Sequence, residues 1–424
     1  ELVENIVHLF QQNRARLVAL MMLEVGKPVW EADADVAEAI DFCKYYLSLR
    51  RSLGRSELPR TTDLNLFLYE PRGITAVICP WNFPVAIPTG MIIANLLVGN
   101  PVVFKPAEQA TMLGNEVFQI FRNAGFDETK LIFAPGYGDT VGEFLVRAAE
   151  VSTILFTGSK AVGMRILNLT ANNHSEAGFK KLICELGGKN AIYIDEEVDC
   201  DEAVDIVIQS AFGYAGQKCS ACSRLFVHKA ISSQILAKLV TQIQSIRTGS
   251  AKDPETFLPY VIDRDSYYRL ETYVDKAEKE GLVMAKSGYP ESHAASFIPA
   301  TLVFNPRPDS PYAREELFGP ILSYFEVNDF NEALEQINSV DYALTGGVIT
   351  KSRDIVEKAI RNFNCGNLYI NRKITGALVG CQPFGGRKFS GTGFKAGGKN
   401  YLLQLVHEKA VSVRGFENLQ DFFK

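Results

Sequence analysis

Histidine is scarce: five in 424 residues, at positions 8, 174, 228, 293 and 407, and none belongs to an H-E-x-x-H pair. Cys219-Ser-Ala-Cys222 is a lone C-x-x-C with no second pair, so a zinc ribbon is excluded and no metal site is expected. The G-x-S-x-G elbow of serine hydrolases is missing. No apolar run approaches the about 18 residues of a membrane span. Lys plus Arg number 44 against 49 Asp plus Glu, and the excess of −5 is spread along the chain, which argues against nucleic acid and membrane as partners. The N-terminus, Glu1-Leu2-Val3-Glu4-Asn5, carries neither initiator Met nor signal peptide and reads as the middle of a helix, so a trimmed chain is expected. Eight cysteines are too thin for a disulfide framework at this length, and Cys79 and Cys184 sit in apolar runs as small hydrophobes do. A reducing compartment is expected, bacterial cytoplasm or mitochondrial matrix.

What is present is an alternation of strand and helix signals. Gly73–Cys79, Pro101–Phe104, Lys130–Ala134, Val151–Phe156 and Lys180–Cys184 read as strands, separated by helices at Ala86–Val98, Thr111–Ala124, Asp139–Ala149 and Ala161–Ala171. A second series has strands at Ala191–Ile194, Leu225–Val227, Ile321–Phe325, Gly346–Ile349 and Asn367–Ile370. Its helices are Cys200–Tyr214, Ser232–Ser245, Phe330–Asn338 and Ile355–Phe363. Such alternation predicts an α/β fold of two parallel-sheet halves meeting near Gly187-Gly188. Leu53–Tyr69, with polar–apolar alternation, belongs to neither half and reads as an extended arm.

Three glycine-rich stretches mimic phosphate-binding loops. Gly391-Thr-Gly393-Phe-Lys-Ala396 has no strand feeding it, and Gly393-x4-Gly398-Lys399 ends in Asn400 where a Mg²⁺-binding hydroxyl should stand. Gly136-Tyr-Gly138-Asp-Thr-Val-Gly142 follows a strand but misplaces its third glycine; it reads as a tight turn, with a turn close to a cofactor as the alternative.

Four segments are too polar or too glycine-rich for their apolar surroundings. In Pro80-Trp81-Asn82-Phe83-Pro84, Asn82 either caps the following helix or is a fixed amide donor to an oxyanion. In Phe104-Lys105-Pro106-Ala107-Glu108, Lys105 and Glu108 are either a solvated pair or ligands of a ribose diol at a strand end. Glu185 of Glu185-Leu-Gly187-Gly188-Lys189 stands at the junction of the halves, where an acid of raised pKa acts as a general base. Cys219, in Gly216-Gln-Lys218-Cys219-Ser220, sits on a glycine-opened turn with Lys218 as a positive charge for its thiolate; a structural cysteine is the alternative. Together, a nucleophile, an oxyanion donor, a base and a ribose-binding pair describe oxidative acyl transfer.

With those motifs, and with FTGS at Phe156–Ser159, EELFGP around Glu316 and Phe318, and PFGG at Pro383–Gly386, the chain resembles the aldehyde dehydrogenase superfamily over nearly its whole length. GQKCSACSR around Cys219, the run Thr375–Gly386 and the trailing Ser390-Gly-Thr392 and Lys395–Gly398 resemble the L-glutamate γ-semialdehyde (Δ1-pyrroline-5-carboxylate) dehydrogenase subgroup. The resemblance implies two Rossmann-like domains with a β-hairpin oligomerisation arm. Residues 1–52 and 70–187 would bind NAD, residues 188–397 would form the catalytic domain, and residues 53–69 and 398–424 the arm and C-terminal segment. Members usually begin well before Glu1, which implies that the first strands of the cofactor domain are absent.

The resemblance also implies roles. Cys219 is the nucleophile, Asn82 and the Cys219 N–H hold the oxyanion, and Glu185 activates the water that hydrolyses a thioester. Pro80, Trp81, Lys105, Glu108, Gly158, Ser159, Glu316 and Phe318 bind NAD, with Glu108 disfavouring a 2′-phosphate and Glu316 on the nicotinamide ribose. Ser220, Gly376 and Ala377 hold the substrate's α-carboxylate, and Phe83 and Phe384 flank its chain; Ala377 stands where some members have Ser. The product is glutamate, in proline catabolism, and the assembly at least a homodimer. Other readings stay open on residues alone: a succinate-semialdehyde-type enzyme, the dehydrogenase part of a bifunctional proline-oxidising protein, or a catalytically idle relative.

Overall fold

The computed structural model describes every residue except 54–55, 58–62, 177, 291–295 and 416–424. His293, seven residues of the expected arm and the last nine residues of the C-terminal segment therefore lie outside the described residues.

Three helices open the chain, Leu2–Gln12, Arg14–Glu24 and Val29–Ser52. Val3, Ile6 and Phe10 recur at helical spacing and are buried, giving the first helix one apolar stripe. Gly26 takes a left-handed φ of +62° after the second helix, and Pro28 caps the third. Val29–Ser52 packs along Ala86–Leu97, burying Ala32, Val36, Ala39 and Cys43. Each fully buried aliphatic or aromatic side chain in this core is worth about 1.5–3 kcal/mol of transfer free energy.

Behind these helices lies a five-stranded sheet in the order Leu131–Phe133, Val102–Lys105, Ile74–Ile78, Val151–Thr157, Lys181–Glu185. All its pairings are parallel. Its strands are near-continuous apolar runs because both faces are covered. The second sheet has seven strands in the order Val283–Lys286, Thr301–Phe304, Ile321–Val327, Cys222–His228, Asn190–Ile194, Thr345–Ile349, Asn367–Ile370. Only the edge strand Val283–Lys286 runs antiparallel. The first sheet ends at Glu185 and the second begins at Asn190, so the two meet across Leu186–Lys189.

The segment read as an arm pairs with the chain's end. Leu64–Pro71 runs antiparallel to Val406–Val413 from Pro71↔Val406 to Leu64↔Val413, and Ser56–Glu57 adds a third strand.

Some expectations of the sequence need correction. The helix expected at Cys200–Tyr214 ends at Phe212, because Tyr214 and Ala215 both take left-handed φ of 54°. The helix Arg264–Lys279 and the strands Val283–Lys286 and Thr301–Phe304 were not anticipated. That helix buries only Leu270, Val274 and Ala277, so its apolar stripe is faint. Its start was nevertheless marked, since Asp263 accepts from Ser266 N at 2.8 Å as an N-cap.

Candidate active site

In a parallel sheet every carboxyl end falls on one edge, and ligands bind there. Ile74–Ile78 delivers Pro80-Trp81-Asn82, Val102–Lys105 delivers Lys105 and Glu108, Val151–Thr157 delivers Gly158-Ser159, and Lys181–Glu185 ends on Glu185. A cavity of 810 Å³ runs along that edge. It is lined by all of these residues and, from the second half of the chain, by Cys219, Glu316 and Phe318. The expected cofactor residues are therefore brought together.

Lys105 is buried, donates to Pro106 O at 2.9 Å and lies 3.5 Å from the Glu108 carboxylate, whose own head is exposed. Ser159 is the N-cap of the helix Lys160–Asn172, accepting from Val162 N at 3.3 Å. Glu316 lies over the glycine pair at the junction: its Oε1 accepts from Gly188 N at 2.8 Å, and a Cβ on Gly187 would sit 1.8 Å from its Oε2. Burial raises the Glu316 carboxyl to about 7. Phe318 takes a left-handed φ of 52° and meets Trp81 edge to face at 5.7 Å. The turn Tyr137-Gly138-Asp139, read from sequence as a plain turn, lines this cavity as well. Only the two-residue strand Arg387–Lys388, paired antiparallel with Tyr342–Ala343 outside both parallel sheets, precedes Gly391–Ala396, and among the described residues no α-helix leaves that stretch, so it lacks the setting of a dinucleotide loop.

A second, smaller cavity of 110 Å³ lies on the other side of Cys219. It is lined by Phe83, Ser220, Gly376, Ala377 and Phe384, all five residues expected to hold substrate. Cys219 and Glu185 line both cavities, so two chambers meet at a thiol and a carboxyl. Gly376 takes a φ of +74°, a left-handed turn that glycine adopts without strain.

Cys219 is partly accessible. Burial pushes its thiol up, the Glu316 and Glu185 carboxylates push it further, and the backbone N–H groups of Ser220 and Cys219 pull it down. Lys218 does not serve the thiolate as expected: it is buried against Glu31 of the helix Val29–Ser52, with which it is ion-paired. Asn82 does not cap the helix after it; Val85 stands at that cap and the start is held by Asp35 Oδ1, which accepts from Ala86 N at 2.6 Å. Its buried amide instead donates to Gln217 O at 3.0 Å, two residues before Cys219, leaving a second Nδ2 hydrogen at the site. Lys27, wholly buried, donates to Asp35 at 2.7 Å and to Asn82 O at 2.9 Å.

Glu185 is the end residue of its strand. Its carboxyl accepts from Gly386 N, and its Oε2 is buried with no hydrogen-bond partner. Burial drives this carboxyl well above its usual range, and Lys395 pulls it back. The Ser390-Gly-Thr392 run clamps the strand under it: Leu186 N donates to Ser390 O and Thr392 N to Cys184 O, both at 2.8 Å.

Two functional residues were not singled out from sequence. Asn190 donates through Nδ2 to Cys219 O at 2.7 Å and Ala221 O at 2.9 Å, and accepts from Thr345 N at 2.9 Å, so it holds the turn that carries Cys219. A polar residue opening an otherwise apolar strand was the available signal. Glu38 lines the smaller cavity, and burial raises its carboxyl to about 8, with Asp35 adding to the rise. Nothing local in the helix Val29–Ser52 marked it.

A family model described as "Aldehyde dehydrogenase family" matches residues 1–411. The chain is 39% identical over 411 residues to 1-pyrroline-5-carboxylate dehydrogenase 1 of Halalkalibacterium halodurans, covering 95% of this chain and 79% of that protein. It is 41% identical over 397 residues to a 1-pyrroline-5-carboxylate dehydrogenase of Geobacillus sp., covering 93% and 77%. A structure of 1-pyrroline-5-carboxylate dehydrogenase from Thermus with bound NAD matches with a TM-score of 0.94 at 41% identity, over 97% of this chain and 80% of that one. Proline utilization A (PutA) from Bdellovibrio bacteriovorus, inactivated by N-propargylglycine, matches with a TM-score of 0.95 at 41% identity; the chain spans 98% of its own length but 44% of that longer one.

Proposed function

The chain belongs to the aldehyde dehydrogenase family, and on that premise we propose that it oxidises L-glutamate γ-semialdehyde, the open form of Δ1-pyrroline-5-carboxylate, to L-glutamate with NAD. The observation that carries this reading is the meeting of two cavities at Cys219 and Glu185: one has room and polar groups for a dinucleotide, the other is short and lined for a small chain with a carboxylate. Lys105 and Glu108 at a strand end, Ser159 at a helix start and Glu316 on the glycine pair fit a nicotinamide dinucleotide.

NAD held by Lys105, Glu108, Ser159 and Glu316 would supply the acceptor for the hydride that leaves the aldehyde carbon. Cys219 Sγ attacks the aldehyde carbon. The oxyanion is met by the Cys219 N–H and the free Asn82 amide hydrogen, fixed before reaction by Lys27 and Gln217. Loss of hydride from that carbon leaves a thioester on Cys219. Glu185 takes a proton from water, the hydroxide attacks the thioester carbonyl, and the thiolate departs. Ser220 and the Gly376-Ala377 turn hold the substrate's α-carboxylate, and Phe83 and Phe384 flank its methylenes. The Glu38 carboxyl, half-buried in the same cavity, is the partner for its ammonium group. Glu108 would meet a 2′-phosphate with like charge, which favours NAD over NADP.

The sheet formed by Leu64–Pro71 and Val406–Val413 stands as the surface through which copies of this chain associate. Among the described residues no helix is long and apolar enough to cross a membrane, and all eight cysteines are free, which supports a reducing compartment, cytoplasm or mitochondrial matrix.

NADH formation over a panel of aldehydes tests the reading. A clear preference in kcat/KM for the aldehyde bearing an α-amino carboxylate is expected; equal values for succinate semialdehyde or simple aliphatic aldehydes would overturn the substrate assignment.

A further inference from the structure

The proposed chemistry leaves one charged side chain beside its base without a task. Lys395 lies in the segment that follows the Ser390–Thr392 clamp. Its ammonium spends all three donors on fixed acceptors: Gly366 O, Asn367 Oδ1 at 2.8 Å and Pro383 O at 3.2 Å. Asn367 reinforces the same point, donating to Pro383 O at 2.9 Å and accepting from Gly385 N at 3.3 Å. Phe384 and Ala396 exchange two backbone hydrogen bonds of 2.8 Å. The segment Pro383–Gly386 is therefore stapled to the strand Asn367–Ile370 on one side and to Lys395-Ala396 on the other.

That segment backs the Glu185 carboxyl. Gly386 N donates to its carboxyl, and a Cβ on Gly385 would lie 2.9 Å from its Oε1 and 3.2 Å from the Lys395 Cγ. The side chains of Lys395 and Glu185 thus both border the space that a Cβ on Gly385 would fill. The other titratable groups acting on Glu185 or lining the smaller cavity with it are Cys184 of its own strand, Cys219, Tyr401 of the C-terminal 3-10 turn, and Glu38 and Tyr46 of the helix Val29–Ser52. The larger cavity, which Glu185 also lines, holds Lys105, Arg165 and Arg269 and the carboxyls of Glu108, Asp139, Glu143 and Glu316; of the cations, Lys395 is the one that bears on the Glu185 carboxyl.

We propose that Lys395 is a positioning residue for thioester hydrolysis: it fixes the Pro383–Gly386 segment on which Glu185 rests and holds a cation beside that carboxyl. The inference rests on the reading of Cys219 as nucleophile and Glu185 as base. In the buried site an ammonium group favours the carboxylate, the form that accepts the proton of water. Acylation of Cys219 does not draw on it.

p-Nitrophenyl acetate separates the two half-reactions without any claim about the natural aldehyde. Its burst of nitrophenolate reports acylation of the thiol, and the steady rate reports hydrolysis of the resulting thioester. Lys395→Met is expected to keep the burst and to move the acidic limb of the steady rate up by about one pH unit, which is about tenfold in the basic form of Glu185. Lys395→Arg is expected to restore the wild-type profile. Where Lys395→Met does not fold, as judged by thermal melting, Lys395→Gln makes the same charge change and the same limb decides. A normal burst with an unmoved limb, or burst and steady rate falling together, overturns the assignment of Lys395. A wild type that releases nitrophenolate no faster than Cys219→Ala overturns the cysteine reading beneath it.

Discussion

Gly187→Ala probes the junction of the two sheets most sharply. A Cβ there would lie 1.8 Å from Glu316 Oε2 and 2.3 Å from its Cδ, well inside contact distance. The backbone of Gly187 is not left-handed, so alanine suits it and the conflict is with the carboxylate alone. Glu316 is the flexible partner and must swing aside. Its Oε1 then loses the Gly188 N–H, now 2.8 Å away, and the carboxylate leaves the cofactor cavity it lines. A hydrogen bond to a charged group is worth about 1.5–3 kcal/mol, so NAD affinity should fall by about 10- to 150-fold. Isothermal titration of NAD into wild type, Gly187→Ala, Glu316→Ala and the double variant measures this. The two losses should not add, because each removes the same carboxylate from the same place. An affinity for NAD within about twofold of wild type in Gly187→Ala, or fully additive losses, refutes the reasoning.

Further outcomes follow from the same geometry. Cys219→Ala should abolish NADH production while NAD still binds, and turnover near wild type would sink the nucleophile. Asn82→Ala removes an oxyanion donor and should lower kcat by about 10²–10³-fold at unchanged folding, checked by steady-state kinetics beside a thermal melt. Lys27→Met strips the counter-ion from the buried Asp35 and should destabilise by about 3–5 kcal/mol in denaturant unfolding. Glu38 gives a pH signature. Its folded pKa of about 8 lies above the ordinary glutamate value of 4.5, so its stabilising proton is fully bound below about 4.5 and is lost as pH rises through about 8. Over that window the melting temperature of wild type should fall relative to Glu38→Gln, and parallel curves would count against it.

Much of this was written locally. Alternating apolar strands and helices announced two parallel sheets because each element's core face is a matter of residue spacing. Gly125, with a φ of +114°, ends its helix where the sequence placed the stop. Cys219, Glu185 and Asn82 were legible because a thiol, an acid and an amide stood in glycine- and proline-bounded segments between apolar runs. The helix Arg264–Lys279 was hidden because charged residues cover most of its surface, and only the Asp263 cap betrayed it.

The sequence by itself determined the alternation of strands and helices in both halves, apart from the elements between Arg264 and Phe304, and it determined the candidate site residues and the family resemblance. Only the tertiary structure decided which charge serves which group. Lys218 stands next to Cys219 in the chain, yet folding turns it to Glu31; Lys395 is 210 positions from Glu185 by their numbers, yet both border the Cβ position of Gly385. Asn190 and Glu38 join the site only through the sheet edge and the helix that carry them. The physical reason is range: propensity and periodicity act over a few residues, whereas desolvation and Coulomb interactions act through space. They depend on which distant segments exclude water together.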